Sequence, residues 1–138
     1  LSRSDRKSKL QKLFSSVGLP TDAKIESRYP HELSGGMRQR ALIALALANE
    51  PKILIADEPT TALDMTVQMQ VLKTLEVLHR ERDMALLVIT HDLGVIAEMC
   101  DWVYVMYRGK IVEVSDVYSL FEAPKHPYTQ KLVEAVLL

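Results

Sequence analysis

The sequence predicts an α/β fold in which parallel strands are joined by crossover helices. Two short apolar runs, residues 52–56 and 85–90, are typical of strands in a parallel sheet that is covered on both faces. Residues 64–82 lie between them and have the apolar spacing of an amphipathic helix. A strand, helix and strand in this order predict a right-handed crossover and a parallel pair. The stripe that we expect this helix to bury is Val67, Val71, Leu75 and Leu78.

Two helices are predicted before the first strand, separated by a polar, turn-rich segment. Residues 4–17 have apolar residues at spacings of three and four and are followed by a Gly-Leu-Pro stop. Ser34 is a candidate N-cap for a second helix over residues 37–49, which Pro51 ends. This second helix is so apolar that we expect it to be largely buried.

After the second strand, the sequence predicts a helix, a β-hairpin and two further helices. The expected bounds are 93–99 for the helix, 102–107 and 110–114 for the hairpin strands, and 116–122 and 128–137 for the last two helices. Arg108-Gly109 supplies the hairpin turn. Pro124 and Pro127 separate the last two helices.

Composition excludes several classes of protein. The 138 residues are 48% hydrophobic and 25% charged, which is ordinary for a soluble globular domain. A net charge of -1 gives no overall attraction to nucleic acid or anionic lipid. The longest apolar run, residues 41–48, is too short for a bilayer span, which needs about 20 residues. A single cysteine, Cys100, allows no internal disulfide, and we expect it to serve packing in a reducing compartment.

Candidate functional residues stand at a helix start and at the ends of the two strands. Ser34-Gly35-Gly36 precedes the second helix, where free backbone amides and the helix dipole favour an anion. Asp57 and Glu58 end the first strand and His91 follows the second, at the edge where open α/β sheets bind ligands. Each feature alone has a simpler interpretation, as a cap with a tight turn, an acidic turn or a structural histidine.

Taken in order, these segments resemble the nucleotide-binding subunit of an ABC transporter over essentially the whole chain. Residues 33–37, Leu-Ser-Gly-Gly-Met, are similar to the signature motif of that family, with methionine where glutamine is usual. Residues 53–58 are similar to the Walker B strand. Residues 61–64, Thr-Ala-Leu-Asp, are similar to the D-loop with threonine in place of serine, and His91 is similar to the switch histidine.

The resemblance implies the C-terminal part of a P-loop, RecA-like ABC ATPase domain that uses ATP and Mg²⁺. Asp57 would hold Mg²⁺ through water, Glu58 would accept a proton from the attacking water, and His91 would contact the γ-phosphate. The remaining residues would contact the nucleotide of the opposite subunit or the dimer interface. They are Ser34, Gly35, Gly36, Met37, Gln39 and Asp64.

One part of the family pattern is missing. A phosphate loop requires Gly-x-x-x-x-Gly-Lys-[Ser/Thr], and of the five glycines only Gly109 precedes a lysine. Tyr104 and Ile111 stand where the first glycine and the hydroxyl belong. We therefore expect the Walker A loop and the Q-loop to lie upstream of Leu1 and the isolated chain to be inactive.

The resemblance also divides the chain into three expected segments. Residues 1–50 would be part of the helical signature subdomain, residues 51–114 a partial ATPase core, and residues 115–138 a helical tail. The apolar edge of the strand at 85–90 would be unpaired without the Walker A strand.

Three short segments resemble the oligopeptide, dipeptide and nickel importer branch. They are Tyr29-Pro30-His31-Glu32, Met37-Arg38-Gln39-Arg40 and His126-Pro127-Tyr128-Thr129. In that branch two ATPase subunits, identical or different, pair with transmembrane permeases at the cytoplasmic face of the membrane, and a solute-binding protein acts indirectly. The alternatives are an ABC ATPase acting on DNA or ribosomes and a scaffold that has lost catalysis. The compact spacing of the motifs and the net charge of -1 favour the importer, for which no nucleic acid partner is expected. The presence of both Glu58 and His91 argues against a scaffold that has lost catalysis.

Overall fold

The computed structural model describes residues 2–137, which separate into two compact units. The first unit reaches Ile89 and the second begins at Thr90. Leu1 and Leu138, the outer ends of the predicted segments 1–50 and 115–138, lie outside the described residues. The division into three segments therefore stays a prediction. None of the described helices combines the length and the hydropathy needed to cross a bilayer.

The first unit contains the parallel strand pair that the sequence predicts. Asp57 and Ile89 form the last pair of a parallel register in which β1 lies beside β2. The helix between the strands is α4, so the strand, helix and strand order is confirmed. The elements are α1 (Arg3–Ser16), α2 (Ala23–Glu26), a 3₁₀ turn (Pro30–Glu32), α3 (Gly35–Leu47), β1 (Ile53–Asp57), α4 (Met65–Glu81) and β2 (Ala85–Ile89).

Two side-chain caps determine where the functional helices of this unit begin. Ser34 Oγ accepts a hydrogen bond from the amide of Met37 over 3.3 Å, and Asp64 Oδ1 accepts one from the amide of Val67 over 3.0 Å. Helix α3 starts at Gly35, two residues before the predicted start, because the serine cap stabilises a first turn of two poor helix formers. Helix α4 begins where the sequence predicts.

One face of the strand pair is exposed. The exposed fractions of Ile53 and Ile55 are 62% and 60%, and those of Leu87 and Ile89 are 48% and 47%, whereas Leu54 is buried. Successive strand residues point to opposite faces, so one face packs inward and the other does not. The expectation of a sheet covered on both faces is therefore wrong for residues 2–137.

Helix α3 is also less buried than its composition predicts. Ile43, Ala44 and Leu47 are buried, while Leu42 and Leu45 are exposed. The helix contacts α1 and α4, and these neighbours cover only part of its circumference. The stripe of α4 is largely as predicted, with Val67 only half-buried and Leu72 as an additional buried member. The buried residues of α4 are Val71, Leu72, Leu75 and Leu78.

The second unit is built on the predicted hairpin. Arg108 and Gly109 have φ values of +49° and +75°, the left-handed pair that a two-residue hairpin turn requires. The strands are antiparallel, with Trp102 opposite Asp116. The elements are α5 (Leu93–Met99), β3 (Trp102–Tyr107), β4 (Lys110–Asp116), α6 (Val117–Glu122) and α7 (Pro127–Leu137).

An apolar cluster joins the hairpin to the helices of this unit. Its buried centre is Val103, Val105, Val117 and Leu120, with Ile96, Cys100, Val112, Phe121, Tyr128 and Leu132 packed around it. Burial raises the pKa of the Cys100 thiol, and the charge of Asp101 raises it further. The thiol therefore stays protonated at neutral pH, as expected of a packing residue.

Glu113 connects the hairpin to the start of α7. Its carboxylate is buried and accepts hydrogen bonds from the backbone amides of Lys125 (2.8 Å) and His126 (2.9 Å). The His126 imidazole Nδ1 accepts from the Tyr128 amide over 3.1 Å, and Tyr128 packs on Tyr107 with ring centroids 4.3 Å apart. The His-Pro-Tyr-Thr segment therefore docks the last helix onto the hairpin.

Burial tends to raise the pKa of Glu113, but the polar groups around the carboxylate lower it more. The Thr129 hydroxyl lies close by at a geometry short of a regular hydrogen bond, and it lowers the pKa together with the amides of Lys125 and His126. The net pKa is below the ordinary value of 4.5. A depressed pKa stabilises the fold above that ordinary value and loses the contribution as the pH falls through the folded pKa.

Replacing Glu113 should loosen α7. We expect Glu113→Ala to lower the free energy of unfolding by about 1–3 kcal/mol near neutral pH, because two partly buried amides lose their acceptor. The difference from wild type should shrink as the pH falls below about 4.5, the ordinary pKa of this carboxyl. Denaturant unfolding at a series of pH values measures both effects. Glu134→Ala, which removes an exposed carboxylate from the same helix, is the control; an equal loss in both variants would contradict the docking role.

Candidate active site

The candidate catalytic carboxylates lie at the carboxyl end of β1. Asp57 is the last strand residue and its side chain is exposed. Glu58 follows with a φ of +47°, and its amide donates to the Ile89 carbonyl over 2.8 Å. The left-handed backbone turns the chain away from the strand direction while the hydrogen bond keeps it attached to β2. The Glu58 side chain is therefore carried by a sharply defined turn at the strand end.

A hydroxyl holds the Glu58 carboxylate within this turn. Thr61 Oγ1 donates to Glu58 Oε2 over 2.8 Å, and the Thr61 amide donates to the Glu58 carbonyl over 3.2 Å. Sequence reasoning noted Thr61 only as a replacement for serine in the D-loop. The hydroxyl of Thr61 was the feature of the sequence that indicated this hydrogen bond, since serine and threonine both make such local hydrogen bonds.

The signature turn, residues 34–36, packs against its own chain through its glycines, with Ser34 exposed, Gly35 half-buried and Gly36 buried. Gly35 and Gly36 occupy the first turn of α3, whose leading amides have no partner within the helix and suit an anion. An added Cβ at Gly36 would lie 2.5 Å from Val67 Cγ1, and one at Gly35 would lie 3.1 Å from Leu63 Cδ2. Both glycines therefore face the D-loop and the start of α4.

Sequence reasoning missed Arg40, which joins three helices. Its guanidinium donates to the carbonyls of Val17 (3.4 Å) and Gly18 (2.9 Å) and to Gln70 Oε1 (3.2 Å). These contacts tie α3 to the C-terminal end of α1 and to α4. The available signal was a charged residue directly before the apolar run of residues 41–48. Of the other predicted signature residues, Met37 and Gln39 are half-buried.

His91 lies in the second unit, two residues after the end of β2, and is exposed. Its place beside the carboxylates stays a prediction. The local turn is well defined, because the Asp92 amide donates to Thr90 Oγ1 over 3.0 Å and Asp92 Oδ1 caps α5 through the Gly94 amide over 2.8 Å.

The carboxylates suit a metal that keeps its own water. Among residues 2–137 no three histidine, cysteine or acidic side chains cluster as a metal cage. Mg²⁺ retains several waters and is bound through one or two carboxylates together with substrate phosphates. The single exposed carboxylate of Asp57 at the strand end fits that mode of binding.

The chain is similar in sequence to known ATP-binding proteins of ABC transporters. The family model described as ABC transporter matches residues 2–61. The glutathione import ATP-binding protein GsiA of Escherichia coli O1:K1 is 51% identical over 135 residues, and that of Pectobacterium atrosepticum is 57% identical over 120 residues. These matches cover 98% and 87% of this chain. The resemblance to ABC transporter ATPases is confirmed.

Part of each of two solved ABC cassettes has a similar fold. A dimeric post-hydrolysis state of the ATP-binding cassette MJ0796 with ADP and Pi superposes with a TM-score of 0.72 at 29% identity, over 85% of this chain. A second dimeric structure of MJ0796, described as a bacterial ABC transporter cassette, gives a TM-score of 0.71 at 30% identity. The two units thus have the fold of part of an ABC ATPase domain.

The chain spans a fraction of these proteins. It covers 22% and 19% of the two glutathione import proteins and 49% of each MJ0796 cassette.

The cap of α4 can be separated from any charge role of Asp64. We expect Asp64→Ala to lower the free energy of unfolding by about 1 kcal/mol, because the Val67 amide loses its acceptor. Asp64→Ser retains a capping oxygen and should be nearly neutral in stability. Denaturant unfolding measures both variants, and equal destabilisation by serine and alanine would contradict the cap.

Proposed function

We propose that the full-length protein is the ATP-hydrolysing subunit of an ABC importer for peptide-like solutes. The observation that carries this proposal is the turn at the end of β1, where Glu58 follows Asp57 and Thr61 holds its carboxylate at 2.8 Å. A carboxylate held at a strand end suits a general base for water. Relatives named for glutathione import support an importer of small peptides.

Each residue of this edge has a proposed role. Asp57 would hold Mg²⁺ through water, and Mg²⁺ held there would supply positive charge that offsets the phosphate charge. Glu58 orients the attacking water and accepts its proton, while the Thr61 hydroxyl keeps the carboxylate from rotating away. His91 contacts the γ-phosphate and distinguishes ATP from ADP.

The signature turn serves a second subunit. Ser34, Gly35 and Gly36 present amides and a hydroxyl at a helix start, which suits the γ-phosphate of a nucleotide held by the partner. Met37, Gln39 and Asp64 complete the same surface. The dimeric state of the MJ0796 cassettes supports this arrangement.

The partners follow from the same proposal. The ATPase dimer, identical or mixed, couples to transmembrane permeases at the cytoplasmic face of the membrane, and a solute-binding protein acts indirectly. The isolated chain is inactive because it lacks the Gly-Lys phosphate loop motif. Relatives named for import do not favour the alternative of an ATPase that acts on DNA or ribosomes.

Neutralising the proposed base should separate ATP binding from turnover. In the full-length protein we expect Glu58→Gln to keep ATP affinity and to lower kcat by at least about 100-fold, because glutamine cannot accept the proton. Steady-state phosphate release and calorimetric ATP titration measure the two properties. Glu81→Gln, a change of an exposed carboxylate on α4, is the control. Unchanged turnover in Glu58→Gln would exclude Glu58 as the base.

The Thr61 hydroxyl should matter for the rate more than for ATP affinity. We expect Thr61→Val to lower kcat by about tenfold, since the Glu58 carboxylate loses the donor that orients it. Thr61→Ser retains the hydroxyl and should stay near the wild-type rate. Initial-rate kinetics over a range of ATP concentrations distinguish kcat from KM. If valine and serine had equal effects, the hydrogen bond would be irrelevant to hydrolysis.

A further inference from the structure

The backbone conformation at Gly36 does not require a glycine. Positive φ values occur at Gly18 and Gly109 among the glycines, and Gly36 lies inside the first turn of α3. Alanine is the better helix former at such a position. Glycine is therefore required at position 36 only if a larger side chain has no room there.

The space that a Cβ would need at Gly36 is occupied by the same chain. Val67 Cγ1 would lie 2.5 Å from that Cβ, and Val67 is held in the first turn of α4 by the Asp64 cap, 3.0 Å from its amide. Gly36 is itself buried. The missing side chain thus makes room for α4, and the two helices approach closely at this point.

The neighbouring glycine repeats the arrangement with a looser contact. A Cβ at Gly35 would lie 3.1 Å from Leu63 Cδ2, the end of a flexible side chain. Leu63 belongs to the D-loop, whose Thr61 holds the Glu58 carboxylate. One continuous segment, residues 58–67, therefore carries the candidate base at one end and supports the signature turn at the other.

We propose that Val67 is a positioning residue for the signature turn, and that Gly36 is glycine because Val67 of its own chain fills the Cβ space. This role rests on the proposed function, in which the signature turn serves the partner's nucleotide. The segment after the catalytic carboxylates then sets the position of the turn that completes the other site. A small shift of α4 against α3 moves Ser34 and the leading amides of α3.

A double-mutant cycle in the full-length protein tests the proposal. The variants are Gly36→Ala, Val67→Ala and the double variant, with Gly36→Ala combined with Val77→Ala as the matched control. Val77 lies on the same helix and is 39% exposed. We expect Gly36→Ala to lower kcat and ATP-dependent dimerisation roughly 100-fold, through displacement of the turn by about 1 Å. ATP affinity of the monomer should stay within about threefold, which a general loss of structure would not allow.

Removing the valine methyl groups should restore function. We expect the double variant to recover to within about threefold of Val67→Ala, whereas the Val77 combination should stay as slow as Gly36→Ala. Gly35→Ala should cost less than Gly36→Ala, because the Leu63 side chain can move. If the double variant is as slow as Gly36→Ala, the glycine is required for another reason and the proposal is overturned.

Hydrogen exchange measures the packing of Gly36 against Val67 separately from ATP hydrolysis. Peptides that cover residues 34–47 should exchange at least about tenfold faster in Gly36→Ala and return to the Val67→Ala rate in the double variant. This result does not depend on ATP hydrolysis. If the wild-type protein does not hydrolyse ATP but the double variant restores the exchange rate, the proposed function is contradicted and the packing of Gly36 against Val67 is supported. If the wild-type protein is active but the double variant restores neither kcat nor the exchange rate, the role of Val67 is overturned.

Discussion

The parallel pairing of β1 with β2 is the constraint on which the candidate active site depends. The ladder continues beyond both strand ends, since the Ala85 amide donates to the Lys52 carbonyl and the Glu58 amide donates to the Ile89 carbonyl, each over 2.8 Å. The second of these hydrogen bonds fixes the point at which the chain leaves the sheet. Glu58 accepts a left-handed backbone there because β2 holds it. The D-loop and α4 therefore begin from a backbone position that the hydrogen bond to β2 fixes.

The signature turn satisfies several physical demands with three residues. Ser34 caps α3, Gly36 makes room for Val67, and Gly35 lies against Leu63. The same turn leaves the leading amides of the helix without partners inside it, which suits a phosphate. Capping, packing and anion binding therefore coincide, so a substitution in this turn acts on the fold and on the site together.

The second unit explains a short segment that resemblance alone had assigned to a transporter branch. His126 caps the start of α7 through the Tyr128 amide, Pro127 occupies the first helical position, and Tyr128 packs on Tyr107 with the two rings tilted by 31°. Glu113 supplies the acceptor for the preceding amides from a strand of the hairpin. The segment thus has a packing role of its own.

The sequence by itself determined the order of the longer elements, because apolar periodicity, helix caps and turn residues act between neighbours along the chain. The short helix α2 and the 3₁₀ turn were not predicted and lie in the segment that was expected to be turn-rich. The hairpin turn at Arg108-Gly109, the cap at Asp64 and the parallel pair were all predictable in this way. The candidate carboxylates and the signature residues were also predicted from motif and strand position, and their roles stay proposals.

Tertiary structure alone decided how distant residues meet. The approach of Val67 to Gly36, the reach of Arg40 to Val17 and the burial of Glu113 against Lys125 join residues far apart in sequence. The same reason explains the exposed face of Ile53 and Ile55, because an apolar run indicates that burial is favourable and does not specify what covers it. Local rules determine which side chains need a partner, and only the packing of the chain decides which partner is within reach.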